Sequence, residues 1–258
     1  MKPYLRLRQI CLVAPELEAA VDTVRDLFGL EVCFRDENVA QYGLVNALFV
    51  FGHAFLEIVA PTREGTAAGR FLEKAGGGGY MAIFDCDDPL VRRQRAVDMG
   101  VRIAHELTYP TFWGSQFHPR DCRATMLEFD HTVGGESVDG AYHPAGAHWK
   151  QFQRLDKVGG IPGIEVSSGQ AAELARFWSA LLDRPLIEDS SATIDMRLDL
   201  GTVRFVSNAP GETSEMLRTL CVSVGDVDAV RRAAERRGCL LPEGELSLYG
   251  VKIRLIGH

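Results

Sequence analysis

The feature that most constrains this chain is a fourfold recurrence: an apolar strand, a short polar break, an amphipathic helix, a turn and further strands. One such unit leaves an apolar sheet face bare, so units must pair. In the first copy Gln9 to Val13 reads as strand, Pro15-Glu16-Leu17 opens a helix to Phe28, and Gly29 stops it before the strand Leu30 to Phe34. Val39 to Phe51 and Ala54 to Ala60 follow as strands. The second copy starts at Tyr80-Met81-Ala82-Ile83-Phe84, turns at Asp87-Asp88-Pro89 and carries a helix to Met99, with Gly100 before Val101 to Ile103. Phe112 to His118 and Thr125 to Asp130 are its later strands. The third begins at Gly163-Ile164-Glu165-Val166, with a helix from Ala171 to Leu182 and strands at Pro185 to Glu188, Ile194 to Leu200 and Val203 to Ser207. The fourth has a strand at Thr219 to Val224, a helix at Val227 to Arg237 and a strand at Cys239 to Leu241. The expected fold is therefore α+β, with four βαβββ modules in two paired-module domains, residues 1–132 and 161–258, joined by a linker at 133–160.

Composition excludes several classes. The chain has 258 residues, long enough for two ordinary domains, and its hydrophobic (46%) and charged (24%) fractions are those of a globular protein. No apolar run approaches the roughly 20 residues of a spanning helix, and from Met1 the sequence reads into an alternating strand without the apolar core of a signal peptide. A cytoplasmic protein without membrane contact is expected. Six scattered cysteines show no metal-type spacing and read as reduced thiols. The formal net charge of -7 argues against nucleic-acid binding. In the linker, Tyr142, His143, His148 and Trp149 are expected to pack on a domain surface, with a cap over a pocket as the alternative.

Two glutamates point to a site. Glu57 lies in Phe55-Leu56-Glu57-Ile58-Val59-Ala60-Pro61 and Glu128 in Thr125-Met126-Leu127-Glu128-Phe129. A carboxylate among buried apolar neighbours is costly unless paired, hydrogen-bonded or metal-bound. Strand alternation also allows each to face solvent. Together with Gln9 in the apolar run Leu7 to Val13, they favour a shared site.

Further motifs carry a family resemblance. Gln9-Ile10-Cys11-Leu12-Val13-Ala14-Pro15-Glu16-Leu17-Glu18-Ala19-Ala20, Leu56-Glu57-Ile58-Val59-Ala60-Pro61, Gly69-Arg70-Phe71-Leu72-Glu73-Lys74 and Phe117-His118-Pro119-Arg120-Asp121-Cys122, followed by Leu127-Glu128, occur in order over residues 5 to 132. This stretch resembles the vicinal oxygen chelate superfamily of glyoxalases, bleomycin-resistance proteins and extradiol dioxygenases, and within it methylmalonyl-CoA epimerase. The resemblance implies curved mixed sheets and a divalent-metal site. The ligand positions fall on Gln9, Glu57, Met81 and Glu128. Met81 stands where the family has histidine, and a thioether is a poor ligand for hard cations, so Gln9, Glu57 and Glu128 would hold Mg, Mn, Co or Ca with one position unfilled.

The epimerase likeness implies a second proton-transfer carboxylate at Gln41, which cannot accept a proton. Glu128 or Glu57 would then act as the single base. Phe49, Phe112, Trp113 and Phe117 would wall the pocket or pack in the core, and His118 would have a supporting role. In the second half the four positions fall on Gly163, Arg204, Leu220 and Arg254, none of which binds a cation. That half reads as a degenerate partner, with an anion site at the two arginines as the alternative. The expected function is a metal-assisted isomerase or lyase acting on a small oxygen-chelating carboxylate, keto acid or CoA thioester. The alternatives are a metal-free small-molecule binding protein and, last, an extradiol-type dioxygenase. The chain would be a monomer or homodimer.

Overall fold

Most apolar strands of the recurrence become sheet, and its amphipathic segments become helices. The computed structural model describes residues 3–188 and 193–258; Met1 and Lys2, where the sequence reads toward the first strand, lie outside the described residues. The first module comprises β1 (Leu5–Val13), α1 (Leu17–Phe28), β2 (Val32–Phe34), β3 (Leu44–Phe51) and β4 (Ala54–Pro61), followed by α2 (Ala67–Ala75). The second comprises β5 (Gly79–Cys86), α3 (Pro89–Asp98), β6 (Ile103–Tyr109), β7 (Phe112–Phe117), α4 (Pro119–Cys122) and β8 (Met126–Thr132). The third has β9 (Val158–Ser168), α5 (Ala171–Leu182), β10 (Leu186–Glu188), β11 (Ile194–Arg197) and β12 (Thr202–Ser207). The fourth has β13 (Met216–Val224), α6 (Val227–Arg236), β14 (Leu246–Leu248) and β15 (Val251–Gly257).

Local chemistry explains the boundaries. In α1, Leu17, Ala20, Val21, Val24, Leu27 and Phe28 are buried at helical spacing, and Gly29 closes the helix at φ 63°. In α3, Asp88 accepts from the Leu90 and Val91 amides at 3.0 and 3.1 Å while Pro89 occupies the first turn.

Two expected strands are different. Glu37–Tyr42 is a 3₁₀ turn rather than the start of a strand at Val39, because the Asp36 side chain accepts from the Asn38 amide at 2.9 Å. Cys239 to Leu241 forms only an isolated bridge, Leu240 to Leu246, because Pro242 supplies no ladder donor.

The strands form two curved mixed sheets, ordered β2-β3-β4-β1-β5-β8-β7-β6 and β10-β11-β12-β9-β13-β15-β14. Tertiary contacts divide the chain into two compact units that each draw on both sheets. One unit holds the N-terminal residues to Arg8, Met81–Ala141 and Pro162–Arg218; the other holds Gln9–Tyr80, Tyr142–Ile161 and Thr219–His258. In the first unit Trp178 Nε1 donates to the Cys122 carbonyl at 3.0 Å and Arg92 Nη1 to that of Leu182 at 3.0 Å, joining the second and third modules. In the other, Arg237 on the end of α6 pairs with Asp26 of α1. Among the described residues no helix is long and apolar enough to cross a membrane.

Candidate functional site

The Glu57 surroundings lie wholly within one compact unit. Parallel pairing of β1 with β4 sets Gln9 beside Phe55 and Cys11 beside Glu57, while β3 sets Leu48 beside Glu57 and Val50 beside Phe55. Alternation then gathers Gln9, Cys11, Asn46, Leu48, Val50, Phe55 and Glu57 on one face. Phe49 and Phe51 fall on the opposite face, where the Phe51 ring meets Phe28 of α1 at 5.2 Å. Phe49 therefore packs in the core layer, turned away from Glu57.

Glu57 is 8% exposed, and its two oxygens are held by neutral amides. Asn46 Nδ2 donates to Oε1 at 2.7 Å and Gln9 Nε2 to Oε2 at 2.9 Å. Each amide has a reason for its orientation. Asn46 Oδ1 takes the Asp36 amide at 2.8 Å, and Gln9 Oε1 takes the Tyr142 hydroxyl at 3.1 Å. Burial pushes the Glu57 carboxyl above its ordinary range, and the bonds from Asn46, Cys11 and Gln9 offset only part of that rise.

The aromatic residues of the connecting segment complete this face. Tyr142 stacks on Phe55 at 4.8 Å and 14°, and Trp149 meets the same ring edge-on at 5.2 Å. With Leu48, Val50 and Ala145 they form a closed apolar cluster. Gln153 Nε2 also donates to the Gly52 carbonyl at 2.8 Å. Gly52 has φ 63°, and a Cβ there would stand 2.0 Å from the Gly159 oxygen, so only glycine lets the two backbones meet. Lifting the segment would expose Tyr142, Trp149 and Phe55, at about 1.5 to 3 kcal/mol for each large side chain.

Glu128 belongs to the other unit. Gln116 Nε2 donates to its Oε2 at 2.9 Å. A Cβ on Gly114 would stand 3.1 Å from Glu128 Oε1 and 3.3 Å from the Phe112 ring, so this glycine gives the carboxylate room. Phe112 shares that face by alternation. Trp113 and Phe117 point the other way, Phe117 packing on Phe129 at 5.4 Å and Trp113 lying over His131 at 6.1 Å. The register also relates the two modules: Glu57 pairs with Cys11 and Glu128 with Ile83, so Gln9 and Met81, each two residues earlier, are equivalent positions. Met81 is buried.

The remaining sequence candidates have structural surroundings. His118 caps α4, its Nδ1 accepting from the Arg120 amide at 3.3 Å. Gln41 lies exposed on the 3₁₀ turn and donates to the Asn38 carbonyl at 3.0 Å. In the second sheet, Arg204 forks onto Asp195 at 2.8 and 2.9 Å. In the other unit Arg254 donates to Glu245 at 2.7 Å, so each arginine is engaged by its own neighbour. Arg254 pairs in register with Cys221, which makes Thr219 the position equivalent to Gln9. Leu220, expected there from the sequence, is fully buried in a run with Val222 and Val224 at alternate positions on the opposite face.

The donor set does not fit a divalent ion. Gln9 turns N–H toward Glu57 and gives its oxygen to Tyr142, and Met81 supplies a soft thioether. Among the described residues no three His, Cys, Asp or Glu side chains gather as a metal-binding group.

Asn46 escaped the sequence reading, which named Tyr142 only as a linker aromatic. Asn46 interrupts the apolar run Leu44 to Phe51 much as Glu57 interrupts its own strand, and that signal marks it. The bond of Tyr142 to Gln9 carries no comparable signal.

The paired βαβββ modules and their matched registers are those of the vicinal oxygen chelate fold, which this chain resembles. Its N-terminal half resembles methylmalonyl-CoA epimerase. The ethylmalonyl-CoA/methylmalonyl-CoA epimerase of Cereibacter sphaeroides is 29% identical over 135 residues, which span 48% of this chain and 96% of the relative. Over nearly the whole chain the likeness is one of fold. A 4-hydroxymandelate synthase variant from Streptomyces coelicolor is 16% identical with a TM-score of 0.64, covering 92% of this chain and 76% of its own. A hypothetical protein from Staphylococcus aureus is 12% identical with a TM-score of 0.68, covering 98% of this chain and 100% of its own. No protein-family profile matches the chain.

Proposed function

We propose that this protein binds a small carbonyl compound, a 2-oxo acid or an acyl thioester, beside Glu57 and moves a proton at the carbon next to the carbonyl, as an isomerase or lyase. The observation that carries this reading is the Glu57 carboxylate itself, buried and gripped by two neutral amides with no cation among those donors. Such a carboxylate is a stronger base than an exposed or ion-paired one, and Asn46 and Gln9 fix its plane. As an isomerase, Glu57 would take the proton from the substrate carbon and return it, so no atom is gained or lost over the cycle. As a lyase, it would take the proton as the bond to the leaving group breaks, and that group would depart with the bonding pair. The reaction is not routed through a metal, because the Gln9 amide is committed to hydrogen bonds. The kinship with a protein named an epimerase supports proton transfer as the chemistry.

Incubation with 2-oxobutyrate or methylmalonyl-CoA in deuterated buffer, followed by NMR, tests the reading. Deuterium should enter at the carbon next to the carbonyl, with and without EDTA, and should not enter with Glu57→Gln. Exchange abolished by EDTA, or retained in Glu57→Gln, contradicts it. A second reading, a metal-free binding protein, is favoured by the exposed amide at Gln41, which leaves the position of the epimerase's second carboxylate without a base. Binding without exchange would support that alternative. Glu128, held by Gln116, is tested separately by Glu128→Gln.

A further inference from the structure

We propose that the connecting segment determines which substrates this site admits: Tyr142 and Trp149 form a resident aromatic wall beside Glu57 that restricts the substrate to a short acyl chain. The inference rests on the reading of Glu57 as the proton-transferring group. Phe55 lies two residues before Glu57 on the same face and beside Gln9 in register. Tyr142 covers that ring in parallel stacking and reaches Gln9 with its hydroxyl, while Trp149 closes the same ring from the side.

A carbonyl placed at Glu57 therefore has two directions along the face. On one side stand the Asn46 amide and the Asp36 backbone; on the other, an alkyl chain growing toward Phe55 runs into the Tyr142 and Trp149 rings. The wall is pinned at both ends, at Tyr142 by Gln9 and at Gln153 by the Gly52 carbonyl. Between them Gly146, at φ 76°, lies so close to Phe34 that a Cβ would meet the ring at 2.6 Å. A wall fixed this way does not retreat for a larger ligand. Both aromatic residues come from outside the βαβββ modules, so the size limit is a property of the connection between the sheets.

The test uses the full chain and straight-chain 2-oxo acids from pyruvate through 2-oxobutyrate to 2-oxooctanoate, with binding followed by ligand-observed NMR. The intact protein should lose at least about tenfold in affinity between 2-oxobutyrate and 2-oxooctanoate. Trp149→Ala should recover about tenfold for the longer acid relative to the shorter one. Trp149→Leu, which leaves a smaller cavity, should move in the same direction and covers the case in which the alanine variant does not fold. Affinity that is flat or rising with length in the intact protein, or an unchanged preference in a folded Trp149 variant, overturns the wall while leaving the Glu57 reading in place. Binding of none of the acids overturns the wall, and the Glu57 reading is then decided by deuterium exchange into methylmalonyl-CoA. Length-dependent binding with no deuterium exchange keeps the size limit but removes the proton transfer.

Discussion

Glu57 in one compact unit and Asp85 in the other are both buried acids on central strands, at 8% and 2% exposure, yet their partners differ in kind. Asp85 meets the Arg6 guanidinium at 3.1 Å, and Arg6 also donates to the Gly135 carbonyl at 3.0 Å and to that of Glu136. Arg8 adds a bond to the Val138 carbonyl at 2.7 Å. Burial raises the Asp85 carboxyl, and Arg8 and Arg6 pull it back. That cluster ties down the beginning of the connecting segment. Glu57 has amides where Asp85 has guanidinium groups. The difference separates an acid ion-paired to a guanidinium from one held by neutral amides.

The largest effect should come from breaking the ion pair. Arg6→Leu leaves Asp85 buried without its guanidinium and should lower stability in urea by about 3 to 5 kcal/mol, whereas Glu57→Gln should lower it by less than about 1 kcal/mol. Equal losses would erase the distinction. Next, Asn46→Ala removes a donor from a buried carboxylate and should destabilise by about 1 to 3 kcal/mol in the same assay. Tyr142→Phe keeps the stacked ring and loses only the bond to Gln9, so about 0.5 to 1.5 kcal/mol is expected.

The smallest effect concerns pH and sharpens the comparison. The folded Glu57 carboxyl lies above its unfolded value, so its favourable contribution is complete below the ordinary carboxylate range and is lost as pH rises through the raised folded value. A glutamine cannot ionise. The melting temperature of Glu57→Gln relative to the parent should therefore rise between about pH 4 and about pH 8. A difference that stays level across that range would show that Glu57 does not titrate as described.

Most of the fold was legible because the recurrence repeats simple physics: apolar strands, helical spacing and glycine stops. The misreadings arose where single side chains override a pattern, at the Asp36 turn and at Pro242. The Leu220 assignment failed by one residue, which in a strand moves a side chain to the other face. Gln9 and Glu57 were legible as polar interruptions of apolar strands, and Asn46 carries a related signal. Tyr142 was legible only as a linker aromatic; its bond to Gln9 was not, because the chain returns to Gln9 after 133 residues. Neither could sequence reveal that Gln9 presents an N–H to Glu57, an orientation set by that distant hydroxyl.

The central claim is that Glu57, held by Gln9 and Asn46, moves a proton next to a carbonyl. Its most direct measurement is the initial rate of deuterium incorporation into 2-oxobutyrate and methylmalonyl-CoA by the intact protein, Glu57→Gln and Glu128→Gln in EDTA-containing buffer. The account predicts exchange by the intact protein on at least one of the two, falling by at least about a hundredfold in folded Glu57→Gln. An intact protein that exchanges neither compound, or a Glu57→Gln protein as fast as its parent, would contradict it.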